Sequence, residues 1–150
     1  MTLNEQLKRA IEIAILAHEG QLDTHNGRPY IEHPFRVMNA GHTIKEKIVG
    51  VLHDIIEDTS WTLNQLHEAG FSKEIIDGVD AMSRRDNESY DYYMLRVLDN
   101  PIAKRVKMYD LTDNMDIRRW KDIQYQDLAR LQKYLEAYKK LTEQDFEPIK

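Results

Sequence analysis

His53 and Asp54, followed by Glu57 and Asp58, are the residues whose types and spacing could most directly do chemistry. Advanced by about 100° per residue around a helix, the four fall within an arc of roughly 140°. Ile48, Val49, Leu52, Ile55 and Ile56 take the opposite side, the side a helix buries. Like charges at neighbouring positions of one helical face repel, so three carboxylates beside an imidazole call for a compensating cation. Taken alone, this stretch fits a solvated acidic face as well as a metal site. His33, just ahead of Pro34, and Asp110, on a later helix, bear on that choice. With His53 and Asp54 they make two imidazoles and two carboxylates, a mixed nitrogen and oxygen set. Such a set suits divalent manganese, iron or zinc and leaves open positions for water or phosphate oxygens. The alternative is a pair of unrelated salt bridges.

The elements that must position these residues can be read in chain order. Thr2 with Glu5 forms a capping box for a first helix that carries Leu3, Leu7, Ile11, Ala14, Ile15 and Leu16 and ends near Gly20. Residues 21–34 hold Gly27, Pro29 and Pro34 among polar side chains and read as a loop of restricted backbone. Pro34 fits the first turn of a short helix running to about Ala40, which puts His33 at a helix entrance. A turn at Gly41-His42 precedes the central helix, from about Ile44 through the His-Asp stretch. Thr62 with Gln65 makes a second capping box, and Ser72 is an N-cap for the segment ending near Met82. Glu88 to Leu98 is a tyrosine-rich helix. Asn100 and Pro101 open another, with Ile102, Val106, Met108, Leu111 and Met115 as its apolar face. The final helix, about Asp122 to Leu141, carries Leu128, Leu131, Leu135 and Tyr138. No segment reads as a strand, a repeat or a low-complexity tract. The expected fold class is all-α, a compact helical bundle, as one domain over residues 1–150.

Composition narrows the chemistry. A hydrophobic share of 41% and a charged share of 31% are ordinary for a globular chain. The net charge of -5 argues against a nucleic acid polymer as partner, while a local basic pocket for a small phosphate ester stays compatible. There is no cysteine, so thiolate catalysis and cysteine-type zinc sites are excluded, and any metal is held by nitrogen and oxygen. The N-terminus lacks a basic and apolar leader, and no run of about eighteen apolar residues occurs, so no membrane association and a cytoplasmic location are expected.

Four blocks, Ala17-His18-Glu19-Gly20-Gln21, Gly27 to Pro34, Leu52 to Thr59 and Val106 to Asn114, resemble the HD-domain phosphohydrolases. More narrowly, they are similar to the hydrolase domain of the RelA/SpoT family and its small single-domain relatives, which remove the 3′-pyrophosphate from the alarmone (p)ppGpp. The resemblance implies an HD-type helical bundle with His33, His53, Asp54 and Asp110 as metal ligands and manganese as the usual ion. It makes Glu57 and Asp58 the pair that positions or activates water, and Asn114 a substrate contact, with Tyr30 of another matching block also on the substrate side. A carboxylate one turn beyond His53 on the same face is well placed to accept a proton from an attacking water. The sequence departs from the family pattern at Thr24 and His25, where the alarmone hydrolases carry an Arg-Lys pair whose arginine stacks on guanine. Threonine cannot replace a planar guanidinium there. Residues 115–118 also differ from the family's usual Met-Arg-Thr.

Other residues divide between substrate and structural roles. Lys107 can meet a phosphate or pair with Asp110 or Asp113, and His25 can reach substrate from its loop. His18 reads as structural, His42 and His67 as surface residues, and Arg84-Arg85 and Arg118-Arg119 as solvated faces rather than the lining of a phosphate pocket. Tyr90, Tyr92, Tyr93, Tyr134 and Tyr138 at helical spacing serve packing or an interface, which leaves room for a homo-oligomer. The leading expectation is a manganese-dependent ppGpp 3′-pyrophosphohydrolase. A hydrolase for another nucleotide or phosphorylated metabolite is the alternative that Thr24 favours, and a non-catalytic nucleotide-sensing module is the third.

Overall fold

The structure is a computed structural model, and it describes residues 1–143. Its order is α1 (Leu3–Ala17), α2 (Glu32–Ala40), α3 (Ile44–Leu52), α4 (Ile55–Asp58), α5 (Leu63–Glu68), α6 (Lys73–Met82), α7 (Tyr90–Asp99), α8 (Pro101–Asn114), a 3-10 turn at Ile117–Arg119, and α9 (Tyr125–Thr142). The fold is all-α. Among the described residues the only extended pairing is a single bridge between Leu22 and Pro29, and no helix is long and apolar enough to cross a membrane.

Helix α3 is the axis. Its Ile48, Val49, Val51 and Leu52 are fully buried, and it packs against α1, α2, α6 and α8. Sequence chemistry starts these helices where expected. Thr2 and Thr62 form reciprocal capping boxes with Glu5 and Gln65, Thr43 accepts from the Glu46 N–H, and Asn100 accepts from the Ala103 N–H with Pro101 at the first helical position. Ser72 precedes α6, but its side chain makes no capping bond. Gly50 brings α2 and α3 together: a Cβ there would lie 3.3 Å from the backbone of Met38. That close approach sets His33 of α2 beside His53 at the end of α3, with ring centroids 5.2 Å apart.

Several expectations are corrected. The central helix is not continuous, because the chain turns at His53-Asp54 between α3 and α4. His53 Nδ1 lies 2.6 Å from the Gly50 carbonyl, the group that would accept from the Asp54 N–H in an unbroken helix. The tyrosine-rich helix begins after Ser89, which caps it, and Glu88 stays outside to pair with Arg96. On α1 the buried face is Ala10, Ile13 and Ala14, while Ile15 and Leu16 are exposed. The last helix starts at Tyr125 rather than Asp122, and it buries Ala137 and Leu141 while Leu128 and Leu135 face solvent. Helix α9 lies mainly against α8, so only one narrow stripe of it is covered. Of the tyrosines, Tyr93 is buried, Tyr90, Tyr134 and Tyr138 pack against the core, and Tyr92 is exposed.

Candidate active site

The turn between α3 and α4, the start of α2 and the last third of α8 meet at one point. His53 Nε2 is 3.1 Å from Asp54 Oδ2 and 3.3 Å from Asp110 Oδ1, and His33 Nε2 is 3.0 Å from the same Asp110 oxygen and 3.6 Å from Asp54 Oδ2. One ligand atom each from His33, His53 and Asp54 fits within 4.8 Å of the others, and Asp110 closes the group.

The tautomers are set from behind. A carbonyl only accepts, so the Gly50 contact holds a proton on His53 Nδ1 and turns Nε2 inward. On His33, Nδ1 lies 2.6 Å from Asp113 Oδ2, and Arg36 grips Asp113 through Nε at 2.6 Å and Nη2 at 3.1 Å. A carboxylate behind an imidazole is the usual outer support of a metal-binding histidine. In the sequence alone Asp113 stands as a partner of Lys107. The i, i+3 step from Asp110 on α8 was the signal that could have found it.

His53 Nε2 is buried and has no partner of hydrogen-bond geometry, although two carboxylate oxygens lie close by. Burial works against charge on His53, yet Asp54 and Asp110 raise its pKa well above the ordinary value, and Asp110 and Asp113 raise that of His33 against the same burial. Burial would push Asp54 up, but His53 and His33 hold it down at about 2; Asp110 is likewise kept well below the usual range, mainly by Lys107 and His53. Positive charge on Lys107 and the upward shift of both imidazoles are the two responses of the site to its buried carboxylates. An orphaned imidazole nitrogen among carboxylates, with two nitrogen and two oxygen donors converging, fits a divalent first-row cation.

Glu57 and Asp58 lie one turn further on, along a cleft of about 890 Å³ bounded on its far side by residues 83–88. Glu57 Oε1 accepts from the Arg84 N–H. Partial burial, with the Asp54 charge adding to it, raises the pKa of both Glu57 and Asp58. A carboxylate with a raised pKa is a better proton acceptor for water.

Most other singled-out residues support this centre. Tyr30 donates its hydroxyl to Asp54 Oδ2 at 2.6 Å, and burial with that charge raises its pKa. Lys107 Nζ lies 2.9 Å from Asp110 Oδ2, so the Asp110 pairing is realised. Asn114 Nδ2 donates to Asp110 Oδ1 at 3.1 Å and also lines a side cavity of about 140 Å³ with Thr24, His25, Tyr30 and His33. His25 stacks on Trp120 at 3.7 Å between ring centroids and 3° between planes. Its loop is pinned by Gly27, whose φ of 72° permits the Gly27 N–H to reach the Asp23 carbonyl. Arg119 is not solvated as expected: its side chain is 15% exposed and binds Asp23 at 2.6 Å, tying this loop to the segment after α8. His18 is buried behind Tyr30 and contacts Gln21, whose amide donates to the Asp58 carbonyl.

No family model matches the chain. It is 32% identical over 127 residues to a probable GTP pyrophosphokinase of Mycobacterium leprae, covering 76% of this chain and 16% of that protein. It is 33% identical over 118 residues to a guanosine-3′,5′-bis(diphosphate) 3′-pyrophosphohydrolase of Haemophilus influenzae, covering 69% and 17%. A hydrolase of the same name from Aquifex aeolicus is 28% identical over 122 residues, covering 74% and 17%. The chain therefore spans about a sixth of the length of these relatives. Among solved structures, a metazoan ortholog of SpoT, described as hydrolysing ppGpp, superposes with a TM-score of 0.72 at 19% identity, over 92% of this chain and 84% of the other.

Proposed function

The chain carries a RelA/SpoT-type HD hydrolase domain, and on that premise we propose that residues 1–150 form a single metal-dependent phosphohydrolase domain whose first substrate to test is ppGpp, cleaved at its 3′-pyrophosphate. The observation that carries this reading is the convergence of His33 Nε2, His53 Nε2, Asp54 Oδ2 and Asp110 Oδ1, with Glu57 and Asp58 one turn beyond. A divalent ion in that site, manganese first and iron or zinc as the same donor set allows, would acidify water and offset the charge of the phosphoryl oxygens. The residues of the chain do the rest. Tyr30, Lys107 and Asn114 fix Asp54 and Asp110, while Gly50 and the Asp113–Arg36 pair fix the imidazoles. Glu57 or Asp58 takes the proton of the attacking water as it adds in line to phosphorus. The bond to the ribose 3′-oxygen breaks, that oxygen takes up a proton, and pyrophosphate leaves. We place the enzyme in the cytoplasm, acting on a small phosphorylated nucleotide.

The experiment is hydrolysis of ppGpp by manganese-loaded protein with products identified by mass, beside Glu57→Ala and Asp54→Ala. GDP and pyrophosphate from wild type alone are expected. An Asp54→Ala protein with wild-type turnover would refute the mechanism. One observation favours a second reading: His25 lies flat on Trp120 where the family has its base-stacking pair, so another nucleotide or phosphorylated metabolite is the substrate if metal binds and ppGpp is untouched.

A further inference from the structure

Residues 83–88 join α6 to α7 and wall the cleft opposite Glu57 and Asp58. From this segment the Arg84 N–H donates to Glu57 Oε1, and among the described residues it is the only hydrogen-bond donor to that carboxylate. The side chain that holds the segment is Arg96 of α7, which is 17% exposed and divides its donors among three places. Nε and Nη2 bind the Glu88 carboxylate at 2.7 and 2.8 Å, Nη1 reaches the Asp80 carbonyl at 3.0 Å, and Nη2 reaches the Ser83 carbonyl at 2.8 Å. Both ends of the segment are thus tied to one guanidinium. Glu88 extends the hold by accepting from the Arg85 N–H at 3.1 Å, while Ser83 Oγ donates to the Val79 carbonyl at 2.7 Å. Between them the chain turns at Asn87, whose φ of 63° is a left-handed conformation that asparagine tolerates.

The Ser83 carbonyl and the Arg84 N–H belong to one peptide unit. That unit is planar and trans, so the two groups point in opposite directions and turn together. Arg96 binds one end of the plane and Glu57 the other. Rotation of the peptide would break both bonds at once. A charged donor on the carbonyl also polarises the unit and strengthens its N–H as a donor. That N–H favours the ionised form of Glu57 against the burial that raises its pKa. Lysine could not do the same, because three acceptor groups at separate places need the planar fork of arginine.

We propose that Arg96 is a positioning residue for Glu57: by holding the Ser83 carbonyl it orients the Ser83–Arg84 peptide, whose N–H fixes Glu57 Oε1 and leaves Oε2 to meet the attacking water. The role in turnover rests on the phosphohydrolase reading above, and the orientation of the peptide is tested apart from it. In the metal-free full chain, nitrogen-15 spectra follow hydrogen exchange at the Arg84 amide. Wild type, Arg96→Met, Arg96→Lys and the control Lys73→Met, which removes an exposed ion pair on α6, are compared. Arg96→Met is expected to speed that exchange at least tenfold and Arg96→Lys at least threefold, while the Val79 and Val97 amides stay within twofold and Lys73→Met changes none of them. Arg96→Lys keeps the charge and much of the volume, so it carries the test if Arg96→Met does not fold. Arg84 exchange within twofold of wild type in the folded variants overturns the proposal. With ppGpp turned over, Arg96→Met lowers kcat about tenfold, leaves KM and manganese affinity within twofold, and costs less than twofold in a Glu57→Gln background. A tenfold loss in both backgrounds overturns the route through Glu57. If ppGpp is never hydrolysed and protection of the Arg84 amide still depends on Arg96, the orienting contact stands and the activity reading falls.

Discussion

Asp113→Asn isolates what the outer support of His33 contributes. Asp113 accepts from His33 Nδ1 at 2.6 Å, its side chain is 11% exposed, and its pKa is held at about 2 by His33 and Arg36 against the opposing effect of burial. It is therefore ionised throughout any working pH range. Asparagine keeps the shape and one acceptor oxygen, so the tautomer of His33 survives, but the negative charge that makes Nε2 a stronger donor is gone. Losing such a partner lowers metal affinity by roughly 10–100-fold, which is about 1.4–2.7 kcal/mol. The stability cost is smaller, because the Arg36 side chain is 38% exposed and can turn to water. Manganese or zinc affinity, measured by competition with a chromophoric chelator at fixed pH, reads the effect directly. Arg36→Met should give part of the same loss, since it loosens Asp113 without touching His33. Affinity of the folded Asp113→Asn protein within twofold of wild type would refute the claim that Asp113 tunes this site.

Glu57→Gln should lower turnover by roughly 10²–10⁴-fold, measured under saturating metal. It should also raise the melting temperature of the metal-free protein at neutral pH. The folded-state pKa of Glu57 is raised, so its charge destabilises the fold as pH rises past the carboxylate range, and glutamine removes that penalty. In the metal-free protein His33 and His53 have raised pKa values, so their contribution to stability is full below about 6.5 and is lost as pH rises through the folded values. Metal requires those imidazoles deprotonated, so the stabilisation added by manganese should grow over the same rise; thermal melts with and without the ion from pH 5.5 to 8.5 test both slopes. Gly78→Val should cost about 2 kcal/mol or more in denaturant unfolding, because even its Cβ would stand 2.9 Å from Val49 Cγ2 on α3.

Patterns confined to one segment were legible in the chain as written. Capping boxes at Thr2 and Thr62, Asn100 before Pro101, and the apolar side of residues 48–56 depend on side chains a few positions apart. The residue types named for the candidate centre came from short motifs and a family resemblance, and the structure brings His33, His53, Asp54 and Asp110 into one cluster. What the sequence hid are choices among competing partners. At the break at His53-Asp54 a side chain occupies a carbonyl the helix would have used, and periodicity cannot show which donor takes it. Lys107 had three candidate partners within helical reach or in substrate, and only the packing of α8 against α2 and α3 gives it Asp110 and gives Asp113 to His33. Arg119 looked solvated because Asp23, its partner, is 96 residues away. Local sequence thus determined which chemistry was available, and tertiary packing decided which groups share a proton, a charge or an ion, since those energies depend on distances of a few ångströms between distant parts of the chain.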